Sequence, residues 1–359
     1  MYKKFDELFI DETKYGTKIK TDQYLSEGKY PIVDQGQKKI SGYTDIEDGI
    51  FKEVPAIIFG DHTRLIKYID VPFFIGADGV KIIRSRLKEI NYKYLYYALL
   101  NVSIPNTGYN RHFKWLKETK IYYPDSEKQK YIVEVLDKIS LIIEKKNKQI
   151  EQWDFLLKSL FIEMFGDISD QDKVEVSRIC KLITDGTHQP PKFEERGIPF
   201  LFVSNIVTNN ITYDTEKFIS EETYKELIKR TPIEIGDLLL STVGSYGHAA
   251  IVKFTKRFCF QRHIAYLKPK YKIVDSEYFR SAILSDNVQR QIHLGVKGIA
   301  QKTLNLSEIR KLRIPLPPMV QQQQFAKVVI EIDKSKLAVK KSLEELEVLK
   351  KSLMQKYFA

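Results

Sequence analysis

The feature that most limits how this chain can fold is a repeat. Residues 121–165 align without a gap on residues 314–358 at a constant offset of 193. Ile121 falls on Ile314, Pro124 on Pro317, Gln129 on Gln322, Ile139 on Ile332, Glu151 on Glu344, Lys158-Ser159-Leu160 on Lys351-Ser352-Leu353 and Phe165 on Phe358. Two unrelated helices would share apolar spacing, but not a proline, a glutamine and a Lys-Ser-Leu end together. The chain is one half written twice.

Each copy opens on a proline-bearing strand exit and then runs for about 40 residues without Gly or Pro. In the first, Ile132, Leu136, Ile139, Ile143, Lys146, Ile150, Trp153, Leu157, Leu160 and Met164 alternate at spacings of four and three. Phe325, Val329, Ile332, Val339, Leu343, Leu346 and Leu353 do so in the second, with Lys336 and Lys350 as interruptions. Such a stripe is a heptad seam. Helices of this length reach roughly 55–60 Å at 1.5 Å per residue, and a narrow apolar stripe that long wants a partner. The economical partner is the other copy, so Ile143, Ile150, Trp153, Leu343, Leu346 and Leu353 are assigned to an antiparallel coiled coil.

The sequence ahead of each helix is of another kind, rich in Tyr, Phe, Ile, Val and Thr with frequent Gly and Pro. Ala56–Phe59, Val80–Ile83, Pro199–Val203 and Asp237–Ser241 read as strands, and 91–101 and 276–292 as helices. The expected fold is α+β, with globular domains at 1–123 and 166–316, spacer helices at 124–165 and 317–359, and a pseudo-twofold relation between the halves.

The chain has 58 Lys and Arg against 47 Asp and Glu, a net of +11. Residues 1–63 carry 9 basic and 12 acidic side chains, and 64–126 carry 11 and 5; residues 166–250 carry 9 and 14, and 251–313 carry 14 and 4. Both domains are thus acidic in front and basic behind, which suggests a repeated phosphate-binding face. Two cysteines, Cys180 and Cys259, cannot make a disulfide framework or a four-thiolate zinc site. With no apolar run approaching the roughly 18–20 residues of a spanning helix, the expectation is a reduced, cytoplasmic protein that binds no membrane.

Signatures of chemistry are weak. Glu144 and Lys146 beside Pro124-Asp125 mimic a nuclease motif, but they lie mid-helix about 200° apart, where the motif needs a strand. Gln189-Pro190-Pro191-Lys192-Phe193 lacks the amide or carboxylate of an amino-methyltransferase turn, and Gly295–Thr303 lacks a phosphate loop's glycine before its lysine. The six histidines form no HxxxH or HExxH pair. No catalytic residue and no metal ligand is assigned.

The run Ile314-Pro315-Leu316-Pro317-Pro318, the glutamines 321–324 and a long helix ending Leu349-Lys350-Lys351-Ser352-Leu353 resemble a spacer region of the specificity (S) subunits of type I restriction-modification systems, and 124–165 resembles the other. Pro105-Asn106-Thr107-Gly108 with Arg111 and Phe113, and Gly298 with Gln301 and Leu304, sit where each recognition domain of that family runs into its helix. Tyr122 and Asp125 depart from the pattern, standing where the second copy has prolines. The resemblance implies a non-catalytic subunit whose two target-recognition domains each read half of a bipartite site in double-stranded DNA, with the helices setting the gap. It implies two methyltransferase (M) subunits and restriction (R) subunits as partners. It further implies that S-adenosylmethionine, ATP and magnesium are bound in those partners and no cofactor by this chain.

Base readout favours Arg or Lys on guanine and Asn or Gln on adenine, presented on loops. In the first domain Arg64, Asn106, Tyr109, Asn110, Arg111 and His112 are candidates. In the second they are Thr187, His188, Ser245, Tyr246, His248, Gln261, Arg262, Lys297, Gln301 and Lys302. The alternative is a non-catalytic DNA-binding scaffold or adaptor with little sequence preference.

Overall fold

The computed structural model describes every residue except 77, 167, 170, 299–301 and 359. It contains two compact units, Met1–Asn147 with Lys341–Ala359, and Lys148–Lys340. The sequence reading cut the chain in linear order, whereas each compact unit takes a part of both long helices, Ser126–Phe165 and Met319–Phe358.

In the first unit a four-stranded antiparallel sheet runs in the order Phe9–Asp11, Val80–Ser85, Ala56–Gly60, Ile66–Ile69. A smaller sheet orders Gly42–Thr44, Tyr30–Val33 and Phe74–Ile75, the last pair parallel. Tyr2–Lys4 pairs with Lys120–Tyr122. The second unit repeats this plan. Its large sheet runs Cys180–Asp185, Ile264–Pro269, Leu238–Ser241, Ala249–Ile251. Its small sheet runs Phe218–Ile219, Ile198–Leu201, Cys259–Phe260, again with the last pair parallel. Val174–Glu175 pairs with Arg313–Ile314. The duplication therefore extends through the globular parts, beyond the stretch where the residues align.

Strands Ala56–Gly60 and Leu238–Ser241 are buried at every position because both sheet faces are covered. Ile57 and Phe59 join a core with helix Tyr92–Leu100, while Ala56 and Ile58 face another with Phe73 and Ile75. Leu238 and Leu240 join a core with helix Ser276–Leu284, and Leu239 packs with Leu201 and Phe260. The single helix expected over 276–292 is two, because Ser285 is extended (φ −64°, ψ 148°) and caps a second helix, Asp286–Gly295, through its hydroxyl. The strand expected to reach Val203 stops at Leu201, and Val203–Asn205 form a tight turn.

Within each unit the helix segments run antiparallel. Phe161 and Phe165 meet Phe325 with ring centroids 5.5 and 5.6 Å apart, and Lys336 reaches Asp154 at 2.6 Å. In the first unit Tyr131 lies against Tyr357, and Met354 and Phe358 pack in the core of Ile132 and Leu136. Of the seam residues, Leu343 is buried and Ile143, Ile150, Trp153, Leu346 and Leu353 are half-buried. The interrupting lysines take polar work on the seam. Lys336 pairs with Asp154, and Lys350 sits 6.0 Å from the Tyr97 ring, where burial lowers the pKa of its ammonium.

Corresponding residues order the start of each long helix and hold it to its domain. Tyr94 and Tyr278 donate to the carbonyls of Tyr122 and Pro315, at 2.6 and 2.7 Å. The repeated glutamines are buried amides: Gln129 donates to Pro124 O, and Gln322 to Pro317 O while accepting from Asp275 N. An aspartate on the long helix then holds a cation of the domain. Asp137 takes Lys93 at 2.6 Å and the Tyr97 hydroxyl at 2.7 Å, and Asp333 takes Arg280 at 3.0 Å and Lys253 at 3.1 Å.

Burial by itself would raise the Asp333 pKa, but the Arg280 and Lys253 charges outweigh it and hold the carboxyl below the ordinary 3.8. A depressed carboxylate stabilises the fold above its unfolded value and loses that contribution as pH falls through the folded one. Asp333→Asn is expected to cost roughly 1.5–3 kcal/mol at pH 7 and to flatten the fall in stability below pH 4. Urea unfolding at pH 7 and pH 3 checks this; an acid limb equal to wild type sinks it.

Candidate nucleic-acid interface

In the first unit the predicted residues meet at one edge of the large sheet, where the turn 61–65 links two strands and the loop 104–112 lies against it. The hinge of that contact is Asp61, buried at 4% exposure. Its carbonyl faces His112 N at 2.8 Å and His112 Nδ1 at 2.9 Å, and its carboxylate accepts from Phe113 N at 2.7 Å. His112 is thus wholly enclosed, with Nε2 toward Thr107. Assigning it to DNA is corrected: it pins the loop and cannot touch a ligand.

The pinned loop displays the others. Tyr109 is 87% exposed. Asn106, Asn110 and Arg111 are exposed beside it, with Asn106 Oδ1 accepting from Gly108 N and the Asn110 amide donating to Thr107. Arg64 adopts a left-handed φ of 62° and reaches Ile104 O at 3.3 Å, tying turn to loop. A bulky residue in that region is held there by its surroundings.

The second unit builds the same edge from four segments. Leu304 N donates to Thr242 O at 2.8 Å, Gly244 N to Lys302 O at 3.2 Å, and Lys297 and Thr303 exchange backbone bonds at 3.0 and 2.8 Å. Thr187 bridges Gln261, and Arg262 N donates to Thr187 O at 3.0 Å. Lys297, Lys302, Arg262, Ser245 and His188 are exposed. His188 is engaged by Asp185 at 3.0 Å, Ser245 by His248 at 3.0 Å and the Tyr246 hydroxyl by His293 at 2.9 Å. Burial lowers the pKa of His248, and burial with the Arg262 charge lowers that of His263. A hollow of about 300 Å³ opens among Asp185, His188, Thr242, Arg262, His263 and Asn305. Gln301 lies outside the described residues.

Folding pairs part of the linear charge pattern across each domain. The rear bases of each domain cross to its front acids: Lys81 to Asp11 at 3.3 Å, Arg84 to Glu12 at 3.6 Å, Lys268 to Glu234 at 2.9 Å and Arg257 to Glu221 at 2.8 Å. Antiparallel strands drawn from the two ends of a domain bring those segments side by side. Sequence reasoning also missed Gln35, Asp61 and His62, although the polar run Asp61-His62-Thr63 between two strands beside Arg64 could have flagged them. Among the described residues no group of His, Cys, Asp and Glu could hold a metal, and no helix is long and apolar enough to cross a membrane.

Two copies of one α+β domain, each presenting polar loops at one sheet edge and each seated on its own antiparallel helix segment, define a duplicated recognition scaffold. The family model for the type I restriction modification DNA specificity domain matches residues 2–152 and 169–348, and the chain belongs to that family. It is 24% identical over 277 residues to the EcoBI specificity subunit of Escherichia coli, covering 68% of this chain and 58% of that one. It is 23% identical over 317 residues to the MjaVIII specificity subunit of Methanocaldococcus jannaschii, covering 78% and 74%. The match to the MjaX specificity subunit of that organism covers 47% of the relative, so the chain spans about half the length of the first relatives it matches. The crystal structure of an S subunit from M. genitalium shares the fold at a TM-score of 0.57 and 19% identity, covering 100% of this chain and 96% of that one. A chain from work on complex assembly and conformational transition of the type I R-M system does so at 0.53 and 14%, covering 99% and 97%.

The enclosure of His112 and the exposure of Tyr109 separate support from display. His112→Ala is expected to cost about 2–3 kcal/mol through a cavity and a lost buried hydrogen bond, and Tyr109→Ala less than about 0.5 kcal/mol. Urea midpoints decide it; equal effects would contradict the assignment.

Proposed function

We propose that this chain is the DNA-reading subunit of a type I restriction-modification assembly and itself performs no bond chemistry. The carrying observation is the same loop edge built twice, once in each unit, on the same strand order. Each edge displays a different set of side chains: Asn106, Tyr109, Asn110 and Arg111 in one, and Gln261, Arg262, Lys297 and Lys302 in the other. Different residues on one framework suit two unlike half-sites in double-stranded DNA. The long helices then provide both the spacing between half-sites and the seats for two M subunits, with R subunits joining the complex. Methyl transfer from S-adenosylmethionine and ATP- and magnesium-dependent cleavage fall to those partners. The membership of the family and its relatives' description as specificity subunits support this reading.

Arg111→Ala is expected to weaken binding at the first unit's half-site alone by about 1–3 kcal/mol, and Arg262→Ala at the second's alone. Competition binding on duplexes carrying both, one or neither half-site measures this. Loss shared equally by both half-sites, or salt-dependent binding indifferent to sequence, would favour an adaptor without readout.

A further inference from the structure

His62 takes no part in the sequence-derived set, yet it is among the most firmly held side chains at the first unit's edge. One face of its ring stacks on Tyr109, with centroids 4.5 Å apart and planes 7° from parallel. Its Cδ2 lies close to Gly79, whose φ of +87° favours glycine and where an added Cβ would stand 2.7 Å from that atom. Nδ1 lies 3.2 Å from the Asn110 carbonyl. The backbone is fixed as well: His62 N donates to Gln35 Oε1 at 3.2 Å, and the Gln35 amide donates in turn to Asp78 O at 3.0 Å. With one face stacked and Nδ1 engaged, Nε2 is left over, and no hydrogen-bond partner meets it among the described residues.

A carbonyl can only accept, so Nδ1 carries the hydrogen. In the neutral ring Nε2 is then a bare acceptor whose tautomer is set by its neighbour. Major-groove base edges offer donors at only two places, adenine N6 and cytosine N4. We propose that His62 is a specificity-determining residue that accepts a hydrogen bond from the exocyclic amine of one adenine or cytosine in the first unit's half-site. A merely solvated histidine would not need a glycine beside it, an aromatic plate on one face and a carbonyl on Nδ1. At the second unit's edge, among the described residues, His248 Nε2 is engaged by Ser245 and His263 Nε2 by Arg262.

This assignment rests on the DNA-reading function above, and the test separates the two. The full chain assembled with its methyltransferase partners selects duplexes from a library randomised over both half-sites, as wild type, His62→Ala, His62→Lys and Arg262→Ala. His62→Ala should lose about tenfold discrimination at one base pair of one half-site, with the other half-site unchanged. His62→Lys, which only donates, should shift that position toward guanine. Arg262→Ala should alter the opposite half-site. An unchanged His62→Ala selection, or a uniform weakening across the half-site, would overturn the assignment while leaving the function standing. A wild type that selects no half-site overturns both.

Discussion

A helix of forty residues with a narrow apolar stripe does not stand alone in water, and the rest of this chain depends on how that stripe is covered. The cover is antiparallel, so a residue early in one helix meets one late in the other, as Phe161 and Phe165 meet Phe325. Apolar seams slide easily, because one leucine substitutes for another. Here the lysine interruptions oppose sliding: Lys336 finds Asp154 only in one register, and a displaced seam would leave its ammonium half-buried and unpaired. The domains are then tied to these helices by the Gln322 amide, the Tyr278 phenol and the Asp333 carboxylate, and by Tyr94 and Asp137 in the other unit.

The long helices were legible because their signal is periodic and local. Even the glutamine at 129 and 322 declared itself by repetition, although its reason, an amide clamping a proline carbonyl, needed coordinates. The repeat of the globular parts was legible only through the helices that follow them and a shared charge order, and their sheet order was not. Sheet order is carried by buried side chains such as Ile57, Phe59, Leu238 and Leu240, which need only be apolar and of suitable size. Two such domains can keep one topology while almost no residue aligns. The break at Ser285 carried two signs: Phe279 to Ile283 and Val288 to Ile292 keep a spacing of four, but five residues separate Ile283 from Val288, and the serine whose hydroxyl caps the second helix falls in that gap.

The candidate interface was half legible. Loops marked by Gly and Pro contained Arg111, Tyr109 and Arg262, all of which the structure leaves exposed. Composition could not tell display from support. His112 and Arg111 are adjacent and both polar, yet one is enclosed against Asp61 and the other faces water, a difference set by residues some fifty positions away in the chain. His62 was overlooked for the converse reason, since its significance lies in what surrounds it: Gly79, Tyr109 and Gln35 come from three separate segments.

The cross-strand ion pairs bear on how such a molecule meets a polyanion. A cation and an acid a few ångströms apart act at a distance as a dipole, whose field fades faster than that of a lone charge and is further screened beyond about 8 Å in physiological salt. Lys81 with Asp11 and Lys268 with Glu234 therefore contribute little long-range pull, whatever the chain's overall surplus. Arg111, Arg262, Lys297 and Lys302, exposed on the loop edges, act over the longer range of a lone charge. A surplus held partly in dipoles reaches less far than the net of +11 suggests.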